Sequence, residues 1–181
     1  NRLSERPTKE VSWVEFLDVV RERRSIRKYR PDPIPQAKMD QVFEAARLAP
    51  SWANSQCWSF VVVTDPKAKR RLAEAGNEWI EHAPAIVAAC ADMKRSGMKK
   101  DQAYYLVDVG IAMEHLVLAA TDQGLGTCWI GWFDEDKAKK ALGAPKDIRV
   151  VALTPLGYPD EKPEARPRRS LGEIVHRDRW E

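Results

Sequence analysis

Apolar residues recur at three- and four-residue intervals along much of the chain, which predicts amphipathic helices. The first predicted helix begins at Ser12, which forms a capping box with Glu15, and ends near Arg24. Pro31 and Pro33 prevent this helix from continuing. Further helices are predicted over 35–48, 66–75, 101–123 and 134–142, with a last helical turn at 171–175.

The segment 101–123 is apolar around most of its helical circumference, unlike the other predicted helices. A helix at the surface of a globular protein shows a single apolar stripe. We therefore expect this helix to be buried on several sides, in part against a second subunit. A monomer would then expose an apolar surface too large for a stable single chain.

Runs of β-branched and apolar residues predict strands over 58–64, 83–91, 127–132 and 148–156. Helices and strands are mixed along the chain, which favours an α+β fold with helices packed on a sheet. We expect a single domain over 1–181, with residues 1–10 extended and 157–181 forming an irregular, proline-punctuated C-terminal arm.

The composition narrows the protein class without identifying a function. The chain has 181 residues, 44% hydrophobic, and a net charge of +3, which is weak for a nucleic-acid-binding protein. No window reaches the roughly 18 consecutive apolar residues of a membrane-spanning helix, and the first residues lack a signal-peptide pattern. We therefore expect a cytoplasmic protein with no membrane and no nucleic-acid partner.

The three cysteines and three histidines are widely spaced. Cys57, Cys90 and Cys128 are too few and too far apart for a disulfide framework or a zinc site, so buried, inert thiols are expected. The histidines form no metal-ligand spacing, and no serine nucleophile motif is present. We expect no metal site.

Two arginine-rich segments carry the candidate chemistry. Arg23, Ser25 and Arg27 alternate, so their side chains share a direction in an extended loop. A guanidinium binds phosphate through two parallel hydrogen bonds, which makes this trio a candidate phosphate site. The segment 166–170, Arg-Pro-Arg-Arg-Ser, is a second candidate. The alternatives are a basic helix end that complements the helix dipole and a solvated, charged tail.

The segment 124–131, Gly-Leu-Gly-Thr-Cys-Trp-Ile-Gly, contains a glycine pattern that is not a dinucleotide-binding fingerprint. Trp129 stands where the third glycine of that fingerprint is required. The segment also follows a helix and opens a strand, which is the reverse of the required order.

Three motifs together resemble the FMN-dependent nitroreductase family: Arg-Arg-Ser-Ile-Arg-Lys-Tyr at 23–29, Ala-Pro-Ser at 49–51 and Asn-Ser-Gln-Cys-Trp at 54–58. The resemblance extends over nearly the whole chain. It implies a mostly antiparallel central sheet flanked by helices and a long buried helix at the core of an intertwined homodimer. It also implies bound FMN at the subunit interface and NAD(P)H as the electron donor.

The resemblance also implies which residues contact the flavin. Arg23, Arg24, Ser25 and Arg27 would hold its phosphate and one edge of its ring, while Pro50, Ser51, Trp52 and Asn54 would approach from the partner subunit. The other implied contacts are Asn77, Cys128, Trp129, Ile130, Gly131, Arg166, Arg168 and Arg169. Trp52 and Tyr104 would lie on the substrate side. No catalytic side chain is implied, because flavin N5 carries the hydride and Arg27 tunes the flavin.

The sequence departs from the family pattern at two positions. Cys57 stands where proline is usual before the tryptophan, and the bulky Trp52 stands where small residues are frequent. The resemblance implies ping-pong reduction of a small acceptor, such as a quinone or nitroaromatic compound. Three alternatives stay open: a flavin sensor or storage protein, a related enzyme such as a reductive dehalogenase, and a nucleic-acid-binding module.

Overall fold

The computed structural model describes residues 16–180. Within them, five α-helices and six β-strands alternate along the chain. The helices are α1 Phe16–Glu22, α2 Gln36–Arg47, α3 Pro66–Ala73, α4 Tyr104–Asp122 and α5 Glu135–Leu142. The strands are β1 Trp58–Val63, β2 Ala85–Asp92, β3 Met98–Lys99, β4 Gln102–Ala103, β5 Gly126–Thr127 and β6 Ile148–Gly157.

The central sheet has four strands in the order β1-β2-β6-β5, and all its neighbours are antiparallel. In the register of β1 and β2, Trp58 pairs with Ala91 and Val63 with Ile86. Seven of the eight residues of β2 are buried, which explains why this strand is a continuous apolar run. The predicted α+β fold with a mostly antiparallel sheet is confirmed.

Helices cover both faces of the sheet and form two cores. On one face, α2 and α4 bury Val42, Met113 and Leu116 against the odd-numbered residues of β2. On the other face, α3 and α5 bury Leu72 and Ala138 against its even-numbered residues. The two-residue period of the strand therefore divides its side chains between the two cores.

Eight of the 19 residues of helix α4 are buried, and they recur every three or four residues along one face from Tyr105 to Ala120. The predicted burial of further sides against a second subunit stays a prediction. The helix is long and apolar enough to cross a membrane by length and composition alone, but it packs on α2 and the sheet as a core helix does. Leu106 and Val107 near its start are nevertheless 49% and 46% exposed. These two side chains leave apolar surface uncovered in a single copy of the chain.

Two predicted elements are wrong in detail. The strand predicted over 127–132 ends at Thr127, because the next N–H, that of Cys128, donates to the Thr154 side chain instead of extending the ladder. Only Ile130 returns to the sheet, through a bridge with Leu153. Residues 101–103 belong to the short β3–β4 hairpin rather than to the long helix.

The remaining predictions hold within one to three residues. Asp65 and Asp134 cap α3 and α5 by accepting the Ala68 and Lys137 N–H groups. The last turn, Leu171–Glu173, is a 3-10 helix closed by a capping box between Ser170 and Glu173. The predictions for residues 1–10, and for Ser12 and Glu15 at the start of the first helix, lie outside the described residues.

Candidate functional site

The first arginine segment lies extended along the edge of the sheet, beside β5. Ser25 forms a parallel bridge with Thr127, and the Ile26 N–H donates to the Thr127 carbonyl at 2.8 Å. A side chain at Gly126 would place its Cβ 2.8 Å from Ile26 Cγ1, so only glycine permits this close approach. Ile26 is buried, and its extended neighbours Ser25 and Arg27 therefore project the other way.

Glu161 fixes the continuation of this segment. Its Oε1 accepts the backbone N–H groups of Arg27 and Lys28, while the Asp160 N–H donates to the Lys28 carbonyl at 2.9 Å. The Tyr29 hydroxyl donates to the Ile26 carbonyl, and burial raises the pKa of this phenol. The backbone that presents the arginines is therefore held from both sides.

A cleft of about 380 Å³ opens between residues 20–27 and 163–168. Six arginines line it, together with a single acid, Glu164: Arg21, Arg23, Arg24, Arg27, Arg166 and Arg168. Arg21 pairs with Asp18. Among residues 16–180, the other five have no carboxylate within salt-bridge distance. The two arginine segments thus meet in one cleft lined by six arginines and one acid, an excess of positive charge that suits an anion.

Arg24 also stabilises the backbone of the segment that lines the cleft. Its Nη1 donates to the Arg21 and Arg23 carbonyls, which closes the C-terminal end of α1. Its Nε is buried with no hydrogen-bond partner among the described residues. An unpartnered buried donor is costly, so a ligand oxygen at this point would complete its hydrogen bonding.

The segment 128–131 adjoins the arginines and offers free backbone donors. The Cys128 N–H donates to Thr154 Oγ1 at 3.1 Å, and the Ile130 N–H to the Leu153 carbonyl at 2.9 Å. For the N–H groups of Trp129 and Gly131, residues 16–180 provide no partner. In extended backbone, alternate N–H groups point in opposite directions, so these two point away from the sheet.

The Cys128 thiol confirms that the two segments touch. Burial raises the pKa of this thiol, whereas Arg27, Ser25 and Arg23 lower it. These three residues therefore lie near the thiol. All three thiols are buried, and burial raises the pKa of each, to about 11 for Cys90. The prediction of buried thiols is therefore confirmed.

Glu114 is a site residue that sequence reasoning missed. It lies on α4 and is half-buried, and burial raises its pKa, while Arg23 and a hydrogen bond with Trp129 lower it. The carboxylate therefore lies near Arg23 of the first arginine segment and Trp129 of the segment 128–131. The only signal in the sequence is an acid within a mostly apolar helix, which Glu114 shares with Asp108.

Residues 50–54 lie elsewhere, near the N-terminal end of α4. The Trp52 ring stacks on Tyr104 with centroids 6.2 Å apart and an interplanar angle of 10°. Ser51 Oγ accepts the Gln56 N–H at 3.0 Å, and the Pro50 and Asn54 side chains are exposed. Within one chain, the two predicted substrate residues, Trp52 and Tyr104, therefore lie together, and neither of them lines the arginine cleft.

The other predicted contacts have local partners. The Asn77 side chain donates to the Trp132 carbonyl at 2.9 Å and so holds the loop that follows the 128–131 segment. Arg169 donates to the Glu173 carbonyl, outside the cleft. The Ile130 side chain is buried in the core of α3 and α5, so only its backbone adjoins the cofactor side.

Comparison with known proteins identifies the family. The nitroreductase family model matches residues 20–82 and 74–158. The chain belongs to the nitroreductase family. A Thermus thermophilus NADH dehydrogenase is 31% identical, over 84% of this chain and 91% of that protein.

Solved structures agree with the family assignment. A nitroreductase family protein from Clostridium novyi NT is 41% identical with a TM-score of 0.79, over 83% of this chain and 89% of that one. NADPH:FMN oxidoreductase from Vibrio harveyi, solved with NAD⁺, is 29% identical with a TM-score of 0.85, over 92% and 78% of the two chains. The nitroreductase fold predicted from the three motifs is confirmed.

The residues of the cleft fit FMN on the chemistry of their donors. Within residues 16–180, the guanidiniums without a carboxylate partner suit a phosphate, and the buried Arg24 Nε lacks an acceptor. The two outward N–H groups of Trp129 and Gly131 suit the polar edge of a flat ring. The volume of about 380 Å³ lies in the usual range for small-molecule sites. In a single chain, the cleft has no aromatic wall from residues 50–54, which stack near Tyr104 instead.

Proposed function

We propose that this protein is an FMN-dependent oxidoreductase that uses NAD(P)H to reduce small, flat acceptors such as quinones and nitroaromatic compounds. One observation carries the proposal: five arginines, for which residues 16–180 offer no carboxylate within salt-bridge distance, meet in a cleft beside two backbone N–H groups that have no acceptor among the same residues. The Vibrio harveyi enzyme named NADPH:FMN oxidoreductase shares this fold over most of both chains. A cytoplasmic location accompanies the proposal, since NAD(P)H is available there.

The arginine cleft would hold the FMN phosphate. Arg23 and Ser25 project from one wall, and Arg166 and Arg168 come from the other. Each charge-assisted hydrogen bond to phosphate contributes about 1.5–3 kcal/mol. Because several arginines share the task, the loss of one weakens binding of the cofactor without abolishing it.

The segment 128–131 and Arg27 would orient the ring. Bound FMN supplies the hydride-transfer chemistry, so the chain needs no nucleophilic side chain. The Trp129 and Gly131 N–H groups would donate to polar atoms at the ring edge, and Arg27, which lies near Cys128, would supply a positive charge on that side. Donors that are fixed in advance in this way stabilise negative charge as it develops, without reorganisation of the site.

We propose that a second copy of the chain completes the site. Phe16, Leu17 and Val20 of α1 are 66%, 57% and 43% exposed, and Leu106 and Val107 of α4 are also exposed. Such a surface is typical of a face covered by another subunit. A symmetric homodimer would cover it and bring the 50–54 loop of the other copy, with Trp52, to the cleft.

Steady-state kinetics test the function. NAD(P)H oxidation is followed at 340 nm, with a quinone or a nitroaromatic compound as the acceptor. If donor and acceptor use one slot in turn, double-reciprocal plots at several acceptor concentrations are parallel. Intersecting lines would contradict the shared slot, and a flavin-containing protein that does not oxidise NAD(P)H would support the sensor alternative.

A further inference from the structure

Asp108 is a buried carboxylate that the proposed mechanism leaves without a role. It lies on α4, one turn beyond Tyr104, and its residue is only 2% exposed. Its Oδ1 accepts the Trp52 backbone N–H at 2.8 Å. Its Oδ2 accepts the Ser96 hydroxyl at 3.1 Å and lies 3.5 Å from the Cys57 thiol, which donates to it.

No cation offsets this carboxylate among the side chains of residues 16–180. A buried carboxylate without a counter-ion is unfavourable unless hydrogen bonds replace its lost hydration. Here all three donors come from outside α4, from the 52–57 loop and from Ser96. The carboxylate therefore joins the 52–57 loop, Ser96 just upstream of the β3–β4 hairpin, and the long helix at one point.

The loop that Asp108 holds has a strained backbone. Ala53, Asn54 and Gln56 have φ values of 47°, 54° and 47°, in the left-handed region that residues other than glycine rarely adopt. Three such residues within four positions persist only where their surroundings enforce the conformation. Asp108 bonds the loop on both sides of the strained residues, at Trp52 and at Cys57.

The strained loop fixes the position of the Trp52 ring. A Cβ on Gly97 would lie 2.5 Å from Trp52 Cε2, so the ring packs directly on the Gly97 backbone. It also stacks on the Tyr104 ring, and Trp52 remains 47% exposed. We call this nearly parallel pair of rings the Trp52–Tyr104 shelf; its Trp52 ring is partly open to solvent in a single chain.

We propose that Asp108 is a positioning residue for substrate: it holds the Trp52–Tyr104 shelf in the geometry that binds flat aromatic acceptors. The proposal rests on the proposed function, because the shelf serves acceptors only if the protein is a flavin reductase. Loss of the carboxylate leaves the Trp52 N–H, the Ser96 hydroxyl and the Cys57 thiol without their common acceptor. The strained loop then relaxes, and the ring of Trp52 is no longer fixed over Gly97.

The test compares Asp108→Ala and Asp108→Asn in the full chain with bound FMN. The quantity measured is the ratio of kcat/KM for a naphthoquinone to that for ferricyanide, an acceptor with no aromatic ring to stack. We expect Asp108→Ala to lower this ratio at least about tenfold through KM, since small misplacements of positioning groups have effects of this order. Asp108→Asn should lie between wild type and alanine, because its amide oxygen still accepts the Trp52 N–H.

Leu72→Ala is the matched control for lost stability. Leu72 is buried in the core on the opposite face of the sheet, so its truncation lowers the melting temperature without touching the shelf. Its acceptor ratio should equal that of wild type. The positioning role is wrong if both Asp108 variants keep the wild-type acceptor ratio and the wild-type KM. It is also wrong if Leu72→Ala changes the acceptor ratio as much as Asp108→Ala does.

Further readouts keep the inference separate from the proposed function. A wild-type protein that binds flavin and oxidises NAD(P)H supports the proposed function whatever the variants do. A wild-type protein without turnover contradicts the proposed function.

If Asp108→Ala does not fold, the test uses Asp108→Asn together with hydrogen exchange of the Trp52 amide. The neutral amide of Asp108→Asn is a weaker acceptor than the carboxylate, and its NH2 group cannot accept the Ser96 and Cys57 donors. We therefore expect faster exchange at Trp52 than in wild type, and unchanged exchange would overturn the proposal.

Discussion

Arg23→Ala tests the assignment of the arginine cleft as the phosphate site. Arg23 is half-buried, lines the cleft and has no carboxylate partner among the described residues. A hydrogen bond to a charged group contributes about 1.5–3 kcal/mol. Because each 1.4 kcal/mol is tenfold in affinity, this range corresponds to a rise of about 10- to 150-fold in the Kd for FMN. Arg166 and Arg168 share the charge, so we expect the lower end, about 10- to 30-fold.

The assay is a fluorescence titration of apoprotein with FMN and, separately, with riboflavin, which lacks the phosphate. Arg23→Ala should weaken FMN binding and leave riboflavin binding nearly unchanged. Arg70→Ala is the matched control, since Arg70 is an exposed arginine that pairs with Glu81 far from the cleft. An equal loss for both ligands, or no loss for either, would refute the phosphate assignment.

Three further predictions concern the fold. Met113→Ala, at a fully buried position of α4, should lower the free energy of unfolding by about 2–5 kcal/mol in urea denaturation; a loss below about 1 kcal/mol would contradict the tight core. Asp134→Ala should cost about 0.5–2 kcal/mol, because the Lys137 N–H loses its cap, whereas exposed Asp136→Ala should cost far less. Hydrogen bonds from Arg149 lower the pKa of Glu135 from the usual 4.5. The resulting stabilisation is present above that value and is lost as the pH falls through the lowered pKa. Arg149→Met should flatten this acid limb of the stability profile, and an unchanged limb would show that the pair contributes nothing.

The sequence predicted the main elements because their signals are local. Asp134 marks the start of α5, and the helical spacing of its apolar residues predicts the helix. The continuous apolar run of β2 identifies a central strand. The prediction for the end of β5 was wrong because the side chain of Thr154, 26 residues away, accepts the hydrogen bond of the Cys128 N–H. No local pattern encodes such a contact.

The candidate site was predicted in part for a similar reason. The alternation of Arg23, Ser25 and Arg27 is visible in the sequence, and the structure shows them beside the second arginine segment. Glu161, Glu114 and Asp108 were missed, since each acts on residues distant in the chain. An acid within an apolar helix was the only available signal for the last two. Residues 50–54 are absent from the lining of the cleft and lie instead beside Tyr104 at the start of α4.

The most direct test of the central claim is the visible absorption spectrum of the purified protein, recorded before and after anaerobic addition of NADH or NADPH. We predict a flavin spectrum that bleaches with at least one of the two nucleotides and returns when a quinone is added. A protein that is colourless and takes up no added FMN would contradict the account, because the arginine cleft would then serve another anion.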